Sequence, residues 1–301
     1  MINKYKWEFM IILSLIIWWL FPIITKNLVT QMNFIFALWF SALFAALYFL
    51  IIWIFKKEWK YFRKNDNWKY LLIHALINWI IFYILIFYWL QYTSAINWSI
   101  FWLTEIFFSY LFFGFIFTDN KSKFNEIAWT FLIVLWALYI IYPWELIINK
   151  WDIFIILSML IIPFGNQCTK LSVRTFSPNF VMLIRSIITS IFLLFVGSIY
   201  YEFPNYQIIN DNLIELIISW ILIFWISKTL WVSAMKYVTV PKASSFLPLY
   251  PVLTIGYWIL FYNTIPNLNQ LIWLLPMVIW VFILFNTSIF NNIKSVIKKE
   301  D

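Results

Sequence analysis

Ten apolar runs, each long enough to cross a bilayer, follow one another with only short polar breaks between them. They lie near 8–25, 32–55, 69–90, 97–117, 126–143, 152–168, 179–200, 212–234, 243–262 and 270–290. A membrane-spanning helix needs about 20 predominantly apolar residues, so the pattern predicts an all-α integral membrane protein. Composition agrees: 64% of the 301 residues are hydrophobic, 11% are charged, and the mean hydropathy is +0.85. Soluble domains carry roughly 25% charged residues, and a water-soluble fold of this length could not bury so much apolar surface.

The net charge of +8 does not mark a nucleic-acid binder. The basic residues gather in short loops between apolar runs, and no basic stripe alternates with exposed aromatics as single-strand binders require. With the N-terminus inside, the inner loops and termini hold Lys4, Lys6, Lys56, Lys57, Lys60, Arg63, Lys64, Lys69, Lys121, Lys123, Lys170, Arg174, Lys236, Lys242, Lys294, Lys298 and Lys299. The outer loops hold Lys26 and Lys150, while Arg185 and Lys228 fall in or near spans. The positive-inside rule then places both termini in the cytoplasm of a multi-pass inner-membrane protein, which requires an even number of spans. Lys4 and Lys6 precede the first apolar run with no small-residue cleavage site after it, so that run reads as an uncleaved span. The run Lys56-Lys57-Glu58-Trp59-Lys60-Tyr61-Phe62-Arg63-Lys64 reads as an anchor to acidic headgroups at the membrane edge. Cys168 is the one cysteine, so it has no disulfide partner and reads as a small core residue.

An internal repeat organises the chain. Trp7-Glu8-Phe9-Met10-Ile11-Ile12-Leu13-Ser14 recurs as Trp151-Asp152-Ile153-Phe154-Ile155-Ile156-Leu157-Ser158, and Lys26 and Lys170 fall in the same register. Trp129 and Trp136 have the same spacing as Trp273 and Trp280. Two halves, 1–147 and 148–301, each of five spans, must cross the membrane in opposite senses. That is the inverted-repeat plan of secondary transporters, with the binding site near the midplane between halves.

The residues resemble the drug/metabolite transporter superfamily, specifically its EamA-type ten-span members, over nearly the whole chain. Ile17-Trp18-Trp19-Leu20-Phe21-Pro22 resembles the opening helix, Tyr92-Thr93-Ser94-Ala95-Ile96-Asn97 the turn before the fourth span, and Lys242-Ala243-Ser244-Ser245-Phe246-Leu247-Pro248-Leu249-Tyr250-Pro251-Val252 the ninth span. Arg185 sits where the family often has an arginine. Glu105 and Trp39 depart from the family pattern, which has a proline and an arginine there. The resemblance implies a transporter, with export the more usual direction.

Twenty-one tryptophans stand beside only 4 glycines. Membrane helices use glycine freely for close contact, and keep tryptophan at the interface. Here Trp18, Trp19, Trp79, Trp98, Trp102, Trp136, Trp220, Trp225 and Trp280 fall inside spans, and Trp19, Trp129, Trp136, Trp273 and Trp280 occupy places where the resembled family has glycine. UGA codons read as glycine in the cell, but written as tryptophan, would produce this pattern.

Ionisable residues inside a membrane mark function by default. Glu105 in the fourth span, Arg185 in the seventh and Lys228 in the eighth are the candidates: a coupling or substrate-binding carboxylate, with cations as counter-ion or anion contact. A static salt bridge, or snorkelling of the two cations, is the structural alternative. His74 and Asn78, four apart in the third span, share a helical face; the histidine reads as a helix contact before it reads as a proton relay. Asn97, Thr104, Asn166 and Gln167 are candidate cavity-lining groups or, equally, interhelical hydrogen bonds, and Pro248 and Pro251 would bend the ninth span to line a cavity or simply kink it.

One histidine cannot build a membrane metalloenzyme, and no HExxH, P-loop or Gly-x-Ser-x-Gly pattern occurs. The sequence therefore implies no enzyme, no cofactor, no metal and no ATP-driven step. The expected partners are a small-molecule substrate and the lipid bilayer, with a homodimer left open. The expected activity is secondary transport of small polar metabolites or amino acids by alternating access; flipping of a lipid-linked headgroup is the alternative.

Overall fold

The structure is a computed structural model and describes residues 6–63, 67–93, 101–117, 151–247, 249–250 and 253. Every regular element among them is helical. In chain order these are α1 (Lys6–Gln31), α2 (Phe34–Phe55), α3 (Trp68–Trp89) and α4, which runs Thr104–Ser109 and continues as π-helical turns over Tyr110–Ile116. They are followed by α5 (Asp152–Ser172), α6 (Pro178–Tyr200), α7 (Tyr206–Asp211), α8 (Leu213–Ala234) and α9 (Val240–Ser244). Six of them, α1, α2, α3, α5, α6 and α8, are long and apolar enough to cross a membrane. They answer to the first three expected spans and to the sixth, seventh and eighth. Part of the fourth expected span, most of the ninth, and the whole of the fifth and tenth lie outside the described residues.

Two helices overrun their expected ends. The first continues past residue 25 because the chain turns at Trp19 and Leu20 and restarts with Pro22 in the first helical turn of Phe21–Gln31. A proline there lacks only an N–H that would have no helical partner anyway. Lys26, on this extension, donates to the carbonyls of Leu90 (2.6 Å) and Gln91 (3.0 Å) at the end of α3. The sixth expected span continues past Cys168 to Ser172; Thr169 and Ser172 bond back to the carbonyls of Gly165 and Cys168. Helix starts carry their own caps: Asn33, Ser177 and Asn205 accept from the backbone N–H groups of Ile35, Phe180 and Ile208.

The helices pack in pairs that each take one member from either half: α1 against α8, α3 against α5, and α2 against α6. Small residues let α2 be closely surrounded: Ala37, Ser41, Ala42 and Ala45 on it are fully buried. Ser41 meets Ser219 of α8 at 2.9 Å.

The ends of the bundle are also sorted. At one end Ser177 donates to Glu58 (2.8 Å) and Asn67 to Thr175, joining the 56–67 and 173–177 connections. At the other end Lys26, in the last turns of α1, is tied to the end of α3, and Trp89 stacks on Phe154 at the start of α5. Among the described residues, the 56–63 and 173–177 connections, both expected on the cytoplasmic side, meet each other.

Candidate functional site

Three of the described helices, α3, α4 and α8, depart from regular α-geometry, and two of them do so beside polar residues of the centre. Residues Leu76–Ile81 of α3 and Ser219–Ser227 of α8 form π-helical turns. Such turns hold an extra residue per turn, re-aim the side chains that follow, and recur at functional sites. Asn78 and Trp79 lie within the first, and Lys228 follows the second directly.

These side chains meet α1, α4, α5 and α6 around a cavity of about 40 Å³. Its polar wall contains Glu105, His74 and Asn78 from the first half, and Asn166, Arg185 and Lys228 from the second. Trp18, Trp79, Tyr83 and Trp102 supply much of its aromatic wall. Glu105 and Arg185 are each 1% exposed. Ionic groups at such depth are retained only with compensating contacts or a use.

One hydrogen-bond chain holds the carboxylate. Asn78 Nδ2 donates to Asn166 Oδ1 (3.1 Å), and Asn166 Nδ2 donates to Glu105 Oε1 (3.0 Å). Ser244 of α9 donates to the same oxygen (3.2 Å), and its hydroxyl also lies 3.0 Å from that of Ser109. Glu105 is thus gripped by α5 and α9, with α3 fixing the amide of Asn166.

A second chain holds the arginine. Arg185 Nη1 lies 3.4 Å from His74 Nε2, and His74 Nδ1 lies 2.7 Å from Thr169 Oγ1. A guanidinium only donates, so Nε2 accepts and the neutral ring carries its proton on Nδ1, donated to Thr169. Thr169 in turn donates a hydrogen bond to the carbonyl of Gly165 (2.9 Å). The guanidinium lies over Trp79, 3.9 Å from the ring centroid. Lys228 Nζ lies 3.2 Å from the centroid of Trp18 and 6.0 Å from that of Tyr83; cation–π attraction favours such placement.

Six of the residues singled out in the sequence therefore converge: Glu105, Lys228, Arg185, His74, Asn78 and Asn166. Two others do not line the cavity. Thr104 spends its hydroxyl on the carbonyl of Phe101 (2.6 Å), and Gln167 is half-buried on another face of α5. Asn97, Pro248 and Pro251 lie outside the described residues. Sequence reasoning missed Ser14, Tyr83, Ser244 and Tyr250. Ser14 closes the repeated Trp7–Ser14 segment, a mark that could have raised it; it and Ser227 each donate to the other's carbonyl at 2.9 Å. The tyrosines carry no distinguishing mark among 17 in the chain.

The sequence profile of the EamA-like transporter family matches residues 5–142 and 149–286, two copies over most of the chain. The protein belongs to the EamA-like transporter family. Members of this family are membrane transporters of the drug/metabolite superfamily, not enzymes. A solved structure titled only as a crystal structure of a protein matches this EamA-like chain with a TM-score of 0.71 at 11% identity. The match covers 90% of this chain and 93% of that one, a likeness of fold. No curated protein sequence matches the chain significantly.

Proposed function

We propose that this EamA-like protein is a secondary transporter of small polar metabolites or amino acids, working by alternating access between two inverted repeats. One observation carries the reading: a single buried cavity takes Glu105, His74 and Asn78 from one half and Asn166, Arg185 and Lys228 from the other. Rocking of one half against the other would expose this wall to each side of the membrane in turn, and would change which groups face the carboxylate. Glu105 is the coupling or substrate-binding group, with Arg185 and Lys228 as the charges it answers to. The charge asymmetry of the loops supports an inner-membrane protein with both termini in the cytoplasm, and export is the proposed direction.

Untargeted metabolite profiling of medium and cytosol tests this, comparing cells that make the protein with cells that make Glu105→Gln. The expected result is a small set of polar compounds that moves outward only with the intact protein. Pools equal to those of cells lacking the protein, with no flux in reconstituted vesicles, would remove the metabolite-export reading and turn attention to uptake or lipid-headgroup flipping; equal flux by Glu105→Gln would remove Glu105 from it.

A further inference from the structure

We propose that the cavity takes the carboxylate of a small organic acid or amino acid on the side edge of Arg185, with Lys228 as the second positive charge. The proposal rests on the transporter reading and adds the chemical group that is recognised. Arg185 is buried, its Nη1 is directed at His74, and its Nε and Nη2 have no hydrogen-bond partner among the described residues. Nε–H and one Nη2–H point the same way from one edge of the guanidinium, and that edge matches a carboxylate with two parallel hydrogen bonds. The neighbouring Glu105 does not fill it: Oε1 is taken by Asn166 and Ser244. Lys228 rests on aromatic faces and donates no hydrogen bond among the described residues. Two cations against one carboxylate leave a single positive excess, which suits a carboxylate better than a dianionic phosphate.

The test uses the full-length protein in detergent micelles and reads its thermal unfolding midpoint. The probes are acetate, L-lactate and L-alanine, each beside its amide, with inorganic phosphate as a separate arm. At least one acid should raise the midpoint where its amide does not. Arg185→Gln should lose that response. Arg185→Lys keeps the charge without the fork, and should weaken binding at least about ten-fold. Amides that act as well as acids, acids that never act, or stabilisation by phosphate alone would each overturn the carboxylate. Flux of a neutral solute in reconstituted vesicles would overturn it too, while leaving the transporter reading intact.

A second inference stands on other residues. Trp18, Trp53, Trp89 and Trp220 each hold a buried indole N–H without a hydrogen-bond partner among the described residues, although a buried indole N–H ordinarily finds one. Rings are also crowded: Trp53 and Trp59 have centroids 3.7 Å apart at 60°, and Tyr48 and Trp225 3.8 Å apart at 41°. Aromatic pairs settle at about 4.5–7 Å. Two of the four written glycines stand at close helix contacts, Gly165 against Asn78 and Gly197 against Phe36. We infer that these four tryptophans, and others among the 21, are glycine in the protein as its own cell makes it, each encoded by UGA. Glycine at Trp18 would lift a ring from Lys228 and widen a cavity that now holds room for about three waters.

Codon reading of the gene, together with peptide masses of the protein isolated from its native cell, tests this. The expected result is UGA at these positions and peptides lacking the indolylmethyl mass at each. UGG at the four codons, or tryptophan-mass peptides from UGA codons, would overturn it.

Discussion

Arg185 and His74 form a directional pair: Nη1 of the guanidinium lies 3.4 Å from Nε2 of the imidazole, whose other nitrogen is committed to Thr169 at 2.7 Å. The imidazole ring is held between α5 and α6, and among the described residues its Nε2 is the acceptor that Nη1 meets.

Replacing His74 with Phe keeps most of the volume and removes that acceptor. A buried donor left without its partner costs roughly 1–3 kcal/mol. His74→Phe should therefore lower stability to chemical unfolding in micelles by about that amount. Substrate KM should rise more than kcat falls, since Arg185 keeps its charge but loses its aim. An unchanged KM would remove the positioning role.

The asparagine chain makes a graded prediction. Asn166 both accepts from Asn78 and donates to Glu105, so Asn166→Leu leaves the Asn78 amide without its acceptor and Glu105 Oε1 with Ser244 alone. Asn78→Leu leaves Asn166 Oδ1 without its donor but keeps Glu105 held by Asn166 and Ser244. The first should cost more than the second, by about 1 kcal/mol for the hydrogen bond lost from the carboxylate, read from unfolding midpoints of both variants. Equal costs would mean that Asn166 does not orient the carboxylate.

Ser14 and Ser227 exchange hydrogen bonds between α1 and α8, the first helix of one half and a helix of the other. Interhelical hydrogen bonds in membranes couple by about 0.6 kcal/mol on average and at most about 1.7. A double-mutant cycle with Ser14→Ala and Ser227→Ala should return a coupling in that range. A value near zero would show that each hydroxyl is equally well served within its own helix.

What was legible in the sequence followed from hydropathy and charge. Long apolar runs read directly as spans, because the bilayer punishes polar residues at every position of a helix. Glu105, Arg185 and Lys228 stood out for the same reason. Polar residues with small side chains did not: Ser14, Ser227 and Ser244 are ordinary in any helix, and only the pairing of α1 with α8 and of α4 with α9 brings them together. The π-helical turns of α3 and α8 were equally hidden, since no residue type demands them. Thr104, at the start of α4, donates its hydroxyl to the carbonyl of Phe101, a local bond that residue type alone does not distinguish from a cavity-facing one.

Gly165 and Gly197 separate a rigid contact from a yielding one. A methyl group on Gly165 would collide with the side-chain amide of Asn78, inside the network that holds Glu105. On Gly197 it would stand 3.1 Å from Phe36, a tight approach that a small ring shift relieves. Overpacking of a close interior costs about 1–3 kcal/mol, so Gly165→Ala should lose that much stability and reduce transport, while Gly197→Ala should lose clearly less. The pair Gly165→Ala with Asn78→Ala should regain stability relative to Gly165→Ala alone, because the colliding amide is gone. Unfolding midpoints of the four proteins measure this. If the second substitution brought no recovery, the close approach of α5 to α3 would not be what requires a glycine there.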